Sequence, residues 1–272
     1  MGAEHAGARM KPVERPAAAS DEAFVLRPGV LMPDWSFVND ASARAALSAV
    51  MMDAGRAEKW AGLDPAEDRV WQAVLREFAA TGRAPDARSL AVVAGLEEFV
   101  VTDWLRSLRR RDLIVLDGDG AVTAAYPFCA WETGHRVRAG DVVVNSLCAI
   151  DALGAGAMVG RDTAVESSCP ACGAEIRVTT RNTGYDLDAM APACAVVWSG
   201  IRYADNCAAT SGCTVKRYFC SEQHLASWRQ RADPNGIGFR LSMEAAFQIG
   251  KAIFVPMLAT GAQAARRDGG NV

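Results

Sequence analysis

The stretch VVVNSLCAIDALG, residues 142–154, joins a β-like apolar run to the beginning of a helix. Asn145 or Ser146 is a good N-cap, which predicts that Cys148 lies in the first helical turn. There the positive end of the helix dipole favours thiolate over thiol. Residues at i and i+3 share a helix face, so the Asp151 carboxylate can reach the Cys148 sulfur. The pair suits soft-metal or nucleophilic chemistry; the alternative is an ordinary helix with a buried apolar cysteine.

Composition indicates a globular protein. Half of the 272 residues are apolar and 22% are charged. A formal net charge of −3 gives no electrostatic case for broad nucleic-acid binding. No apolar run approaches the roughly 18 residues of a membrane span, and residues 1–20 lack the apolar core of a secretory signal. Eight cysteines in such a chain predict a cytoplasmic protein that uses thiols for metal or redox roles rather than for disulfides.

The order of the predicted elements indicates an α+β protein. A winged-helix-like N-terminal module is followed by a catalytic domain built on a mixed or antiparallel β-sheet with flanking helices. We divide the chain into a disordered leader (1–22), a partly helical N-terminal extension (23–63), the winged-helix-like module (64–125), the catalytic domain (126–260) and a flexible tail (261–272).

The winged-helix prediction rests on three helices followed by a hairpin with a Gly-rich turn. Their expected ranges are 65–81, 86–94, 97–111 and 113–123. The third helix carries four arginines that raise the question of DNA binding: Arg106, Arg109, Arg110 and Arg111. The adjoining turn carries Glu97, Glu98 and Asp103, so we favour the alternative, in which the arginines lie on a solvated face and DNA is not a partner.

Beyond residue 125 the pattern predicts short strands and two further helices. A connector (126–141) leads to the opening stretch, whose helix the glycines at 154, 156 and 160 are expected to break. Expected strands cover 163–165, 175–180, 194–198 and 214–219. Ser221 and Ser242 are expected to cap the last two helices.

The cysteines allow three interpretations. The first joins Cys148 and Asp151 to a distant thiol, Cys213. The second is a structural zinc site, with ligand types and spacing acceptable for zinc: Cys169, Cys172, Cys220 and His224. The third treats most cysteines as buried apolar residues.

An ordered series of motifs covers roughly residues 70–255. It consists of YPF at 126–128, TGHRV at 133–137, CAIDALG at 148–154, MVGR at 158–161, SSCPACG at 167–173, Cys213 ahead of Tyr218-Phe219 and Trp228, and SMEAAFQIG at 242–250. In this order the motifs resemble those of the organomercurial (alkylmercury) lyases, enzymes of mercury resistance and detoxification.

The resemblance implies an activity and assigns residues to it. The family's two catalytic cysteines and its aspartate match Cys148, Cys213 and Asp151; Cys207 fits the second cysteine less well. A further cysteine, which is structural in the family, matches Cys169. The implied reaction is protonolysis of a carbon–mercury bond to a hydrocarbon and Hg(II), which the two thiolates and Asp151 hold as product. No metal cofactor is required, and mercuric reductase or small thiols accept the Hg(II).

The chemistry of the three residues agrees with this reaction. Mercury(II) is a very soft cation, for which thiolate is the competitive ligand. A carboxyl group in an apolar pocket can carry a proton from a thiol to the leaving carbon near neutral pH. Two alternatives stay open: a sensor or binding protein of the same fold for Hg, Cu or Zn without lyase activity, and a zinc-stabilised structural module.

Overall fold

Helices dominate the N-terminal half of the chain. The computed structural model describes residues 21–53 and 55–259, so most of the predicted leader and the whole predicted tail lie outside the described residues. The elements of this half are β1 (Phe24–Arg27), β2 (Val30–Met32), a 3-10 turn (Trp35–Phe37), α1 (Ala41–Asp53), α2 (Arg56–Trp60), α3 (Pro65–Thr81), α4 (Ala87–Ala94), α5 (Glu98–Arg110), β3 (Ile114–Leu116) and β4 (Val122–Ala125).

Strands dominate the C-terminal half, with one buried helix near its beginning and one at its end. The elements are β5 (Phe128–Cys129), β6 (Arg136–Ala139), β7 (Val142–Ser146), α6 (Ala149–Val159), β8 (Ala164–Ser168), β9 (Glu175–Arg181), β10 (Asp186–Ala191), β11 (Val196–Gly200), a 3-10 turn (Cys213–Val215), β12 (Lys216–Phe219), α7 (Glu222–Ala232), β13 (Gly238–Ser242) and α8 (Met243–Leu258).

Three antiparallel sheets organise these elements. The largest has eight strands in the order β10-β9-β8-β6-β7-β5-β4-β3, and the second has the order β12-β11-β13. In the third, β1 pairs with β2. The α+β class with an antiparallel sheet and flanking helices is therefore confirmed. The hairpin predicted as a wing, β3 with β4, forms one end of the eight-stranded sheet. The winged-helix comparison and the division at residue 125 stay predictions.

Capping residues, proline and glycine correctly predicted where several helices begin or end. The Asp64 side chain accepts a hydrogen bond from the Ala66 amide, Pro65 occupies the first helical position, and Gly82 ends α3 with φ 72°. Ser221 and Ser242 cap α7 and α8 by the same kind of hydrogen bond. These helices begin where the sequence predicted, because each capping side chain satisfies an amide that the helix leaves unpaired.

The glycines of α6 contradict the sequence prediction. Gly154 and Gly156 lie inside the helix, and only Gly160 ends it. A Cβ on Gly154 would lie 2.5 Å from the Gly250 carbonyl oxygen and 2.4 Å from Phe254 Cδ2. The glycine therefore permits close contact between α6 and α8; it does not break the helix.

Several strands were not predicted. The stretch 126–141, expected to be a connector, contains β5 and β6. No pattern in the sequence predicted β1, β2, β10 or β13. Most of β10 is exposed and its apolar residues do not alternate regularly. Strand pairing, which residues distant in sequence supply, decides such segments more than their local pattern does.

The N-terminal extension is integrated with the C-terminal helix. The Arg27 guanidinium donates to Asp68 of α3 at 2.7 Å and to the carbonyl oxygens of Pro256 and Met257 at 2.9 and 2.8 Å. These carbonyls lie in the last turn of α8, where a cation also complements the helix dipole. Within residues 21–53 and 55–259, no helix combines the length and the apolar character needed to cross a membrane.

We expect Gly154→Ala to lower the free energy of unfolding by about 1–3 kcal/mol, because its Cβ would overlap α8. At an exposed helical position the same change stabilises by roughly 1 kcal/mol. Chemical denaturation measures the difference. Gly118→Ala is the control, since a Cβ there would meet nothing within 4 Å. A Gly154→Ala protein as stable as wild type would contradict the close contact.

Candidate active site

Cys148 is the N-cap of α6, one position outside the helix that was expected to contain it. The prediction that Asn145 or Ser146 caps the helix was wrong. Both belong to β7, and the Leu147 amide still donates to the Pro127 carbonyl oxygen at 3.1 Å. Strand pairing thus holds the chain extended up to Leu147, and the helix begins only after Cys148. Its sulfur therefore faces the unpaired amides at the positive end of α6.

Asp151 lies between the two predicted thiols. Its amide donates to Cys148 Sγ at 3.5 Å, and its Oδ2 accepts from Cys213 Sγ, also at 3.5 Å. One ligand atom from each of the three residues lies within 4.8 Å of the other two. All three side chains are buried. The structure thus brings together the three residues that the sequence combined, although Cys213 is 62 residues from Asp151.

The loop before Cys213 is anchored by Asp112. Its carboxylate, just after α5, accepts hydrogen bonds from the Tyr126 and Tyr203 hydroxyls at 3.0 and 3.2 Å and from the Ala208 amide at 3.1 Å. The Cys213 amide in turn donates to the Ala208 carbonyl oxygen at 2.8 Å. Hydrogen bonds to an ionised carboxylate are stronger than those between neutral groups. Asp112 therefore holds the loop, and with it the second thiol, in place.

Burial dominates the electrostatics of the site. It raises the pKa of Asp151 to about 6, against the opposing effects of the Cys148 hydrogen bond and the Lys216 charge. The pKa of the Cys213 thiol is raised well above its ordinary value by its hydrogen bond with Cys148, by burial and by the Asp151 charge. At neutral pH, Asp151 is therefore an available proton acceptor beside a protonated Cys213.

The three residues open onto a small cavity of about 30 Å³. Its walls are mainly apolar, with two cations among them: Val50, Arg56, Trp60, Tyr126, Ile150, Ser199, Lys216, Ile249, Ile253 and Phe254. A volume of this size holds one or two water molecules. Arg56 stacks its guanidinium over the Trp60 ring at 4.6 Å, and this pair from the N-terminal extension forms one side of the cavity.

The remaining cysteines near the site have other surroundings. Cys207, the weaker candidate for the second thiol, does not line the cavity and is not part of the cluster of three. Burial raises the pKa of the Cys129 thiol to about 12, and it donates to the Trp131 carbonyl oxygen at 3.3 Å. All eight cysteines lie within the described residues and are unpaired thiols.

The residues of the predicted zinc site also come together. One ligand atom from each lies within 4.8 Å of every other: Cys169, Cys172, Cys220 and His224. The first two lie in the turn between β8 and β9; Cys220 directly follows β12, and His224 lies in the first turn of α7. The structure thus contains both of the cysteine groups that the sequence offered as alternatives.

Several residues that shape the site were not predicted from the sequence: Asp112, Arg56, Trp60 and Lys216. Asp112 has φ 57°, which Asp tolerates better than most residues but which no sequence pattern reveals. Lys216 begins β12 and is buried, with Nζ donating to the Gly212 carbonyl oxygen at 2.9 Å. The sequence alone does not distinguish a buried lysine from an exposed one. A weak signal was the position of Lys216 next to the turn that carries Cys213.

The arginines considered for DNA binding are only partly at the surface. Arg111 donates to Glu67 at 3.1 Å and to the carbonyl oxygens of Lys59 and Ala61 at 2.9 and 3.1 Å. Arg106 forms an exposed ion pair with Asp103 at 2.8 Å. Arg106, Arg109 and Arg110 are exposed, as predicted for a solvated face, whereas Arg111 is half-buried. That DNA is not a partner stays a prediction.

Comparison with known proteins supports the family resemblance. The sequence model of the alkylmercury lyase family matches residues 128–255. A similar solved structure, the mercury-bound form of MerB2, superposes with a TM-score of 0.63 at 20% identity, covering 81% of this chain and 100% of that one. At this identity the likeness shows the fold alone. No curated protein matches the chain.

We expect Asp112→Asn to loosen the loop that carries Cys213, because an amide nitrogen cannot accept the hydrogen bonds that one carboxylate oxygen accepts. An unsatisfied buried donor costs about 1–3 kcal/mol. The readout is the rate at which a thiol reagent modifies Cys213, resolved by peptide mass spectrometry, and we predict a faster rate than in wild type. Asp119→Asn, in the exposed hairpin turn, is the control. Equal rates in all three proteins would exclude the anchoring role.

Proposed function

The chain belongs to the alkylmercury lyase family, a family of carbon–mercury lyases, through residues 128–255, and we propose that Cys148, Cys213 and Asp151 carry out protonolysis of organomercurials. The products are a hydrocarbon and Hg(II). The observation that supports these roles is the convergence of two thiols on one carboxylate in a buried cavity. A soft cation is bound best by thiolates, and a proton donor must reach the carbon that departs.

The first step is capture of the organomercurial by Cys148. Its sulfur lies at the positive end of α6 and accepts a hydrogen bond from the Asp151 amide. Bound to mercury as a thiolate, it replaces the ligand that the organomercurial cation brings with it. The apolar wall accommodates the organic group.

The second step moves the proton of Cys213. Its thiol donates to Asp151 Oδ2, so the carboxylate takes this proton as Cys213 binds the mercury. Two thiolates on one mercury push electron density toward the carbon. Asp151 then gives the proton to the carbon, which keeps the electron pair of the broken carbon–mercury bond. The hydrocarbon leaves, and Hg(II) stays on the two sulfurs. A proton replaces mercury on the carbon, so the step needs no oxidant or reductant.

The environment of Asp151 is suited to both halves of this transfer. A pKa raised to about 6 leaves the carboxylate ionised at neutral pH and yet makes it a stronger base than an exposed aspartate. Once protonated, it is an acid inside an apolar cavity from which bulk water is excluded. Arg56 and Lys216 offset part of the charge that accumulates there.

The product is a mercury dithiolate, which free thiols can remove by ligand exchange. We propose small thiols or mercuric reductase as the acceptors. Eight unpaired cysteines fit a reducing compartment, where such thiols are abundant, and we expect the protein to act in the cytoplasm. No resident metal is needed at the three catalytic positions.

The test of the proposed function is hydrocarbon release. Purified protein with excess small thiol is expected to release methane from methylmercury, measured by gas chromatography. Cys148→Ser and Cys213→Ser should each slow release on the order of 1000-fold or more, since residues that act as a unit fail together. Cys207→Ser is the matched control, because that thiol does not line the cavity.

Two outcomes would contradict the proposal. Wild type that binds Hg(II) stoichiometrically but releases no hydrocarbon would instead favour a soft-metal binding protein. If Cys207→Ser were inactive and Cys213→Ser active, the second thiol would have to be Cys207.

The size of the cavity gives a prediction about substrate choice. An engineered cavity that binds benzene has about 150 Å³, several times the present volume of about 30 Å³. We expect Ile253→Ala, which shortens a side chain of the cavity wall, to raise kcat/KM for phenylmercury relative to methylmercury by roughly tenfold. Leu225→Ala, buried in α7 away from the cavity, controls for general destabilisation. A ratio that stays the same or falls would show that cavity volume does not limit the substrate.

A further inference from the structure

The second cysteine cluster lies where two parts of the fold meet. Cys169 and Cys172 belong to the turn between β8 and β9 of the eight-stranded sheet. Cys220 directly follows β12 of the three-stranded sheet, and His224 lies in the first turn of α7. The proposed reaction does not explain this second cluster, because its four residues are separate from Cys148, Asp151 and Cys213.

The turn between β8 and β9 has a shape that directs two sulfurs the same way. The Cys172 and Gly173 amides both donate to the Cys169 carbonyl oxygen, at 3.3 and 2.7 Å, and Gly173 has φ 75°. A residue with a Cβ is strained in that conformation. The glycine thus lets the chain reverse between Ser168 and Glu175 while both thiols stay on one side.

The distances between the ligand atoms agree with a tetrahedral zinc ion. With Zn–S near 2.3 Å and Zn–N near 2.0 Å, tetrahedral angles put two sulfurs about 3.8 Å apart and a sulfur and a nitrogen about 3.5 Å apart. Cys172 Sγ lies 3.6 Å from Cys220 Sγ, and Cys169 Sγ lies 3.9 Å from His224 Nδ1. The Cys220 Sγ to His224 Nδ1 distance, 2.8 Å, needs to lengthen by only about 0.7 Å.

We propose that Cys169, Cys172, Cys220 and His224 bind one structural zinc ion, which joins the β8–β9 turn to the end of β12. All four positions are occupied by protein ligands, so the site is closed, as in structural rather than catalytic zinc sites. β12 begins at Lys216, three residues after Cys213, so the ion fixes the far end of the strand that follows the second thiol. The proposal does not depend on the lyase reaction.

The test is the metal content of the full-length protein, purified without chelators from medium that contains zinc. Elemental analysis is expected to give about one zinc per chain in wild type and in Cys148→Ser, which alters the catalytic cluster only. Cys172→Ser, at an exposed position, should lower zinc affinity at least about 100-fold in competition with a chromogenic chelator. Even the loss of a residue that only hydrogen-bonds to a metal ligand costs about 10–100-fold. Cys194→Ser, an exposed cysteine outside the cluster, should retain zinc.

Cobalt(II) gives a second readout that needs no variant. Exchange of the metal in wild type should produce the absorption bands of a tetrahedral, thiolate-bound cobalt ion, and the thermal unfolding midpoint should fall when a strong chelator removes the metal.

Three outcomes would overturn the proposal. They are wild type without zinc and without the cobalt bands, zinc that disappears in Cys148→Ser but not in Cys172→Ser, and a Cys172–Cys220 disulfide in protein purified under reducing conditions.

Discussion

The contact between α6 and α8 at Gly154 and Gly250 is the constraint on which the site depends. A Cβ on either glycine would overlap the backbone of the other glycine, so the two helix backbones are in direct contact. This contact brings Ile249, Ile253 and Phe254 of α8 to the side of α6 that carries Asp151. The apolar wall that raises the pKa of the carboxylate exists because two residues lack side chains.

A second constraint is the place where β7 ends. The sheet holds the chain extended through Leu147, so that Cys148 becomes the N-cap and Asp151 the third helical residue. In this arrangement one sulfur faces the positive end of the helix while the carboxylate three residues later turns toward the same space. Cys213 reaches this point on a loop tied to Asp112. The three proposed reacting groups therefore lie at the N-cap of α6, in its first turn and in the 3-10 turn that follows the loop.

Much of the site, but less of the fold, could be predicted from the sequence. Caps such as Asp64 and Ser242 are local, and the helices they begin were correctly placed. The spacing of Cys148 and Asp151 was informative for the same reason, whereas Cys213 was selected through family resemblance. The N-cap of α6 and the role of Gly154 depend on packing against distant residues, which local rules do not contain. Buried charges such as Asp112 and Lys216 are indistinguishable from surface ones until the chain is folded.

Asp151 as the carrier of the proton is the central claim, and the pH dependence of methane release in a single turnover tests it most directly. With a pKa of about 6, the carboxylate loses its capacity to accept the Cys213 proton as the pH falls below that value. The wild-type rate should therefore fall by about tenfold per pH unit on the acid side. In Asp151→Asn, release should be much slower and should lack this dependence. If Asp151→Asn released methane at the wild-type rate, or kept the same decline below pH 6, another group would carry the proton.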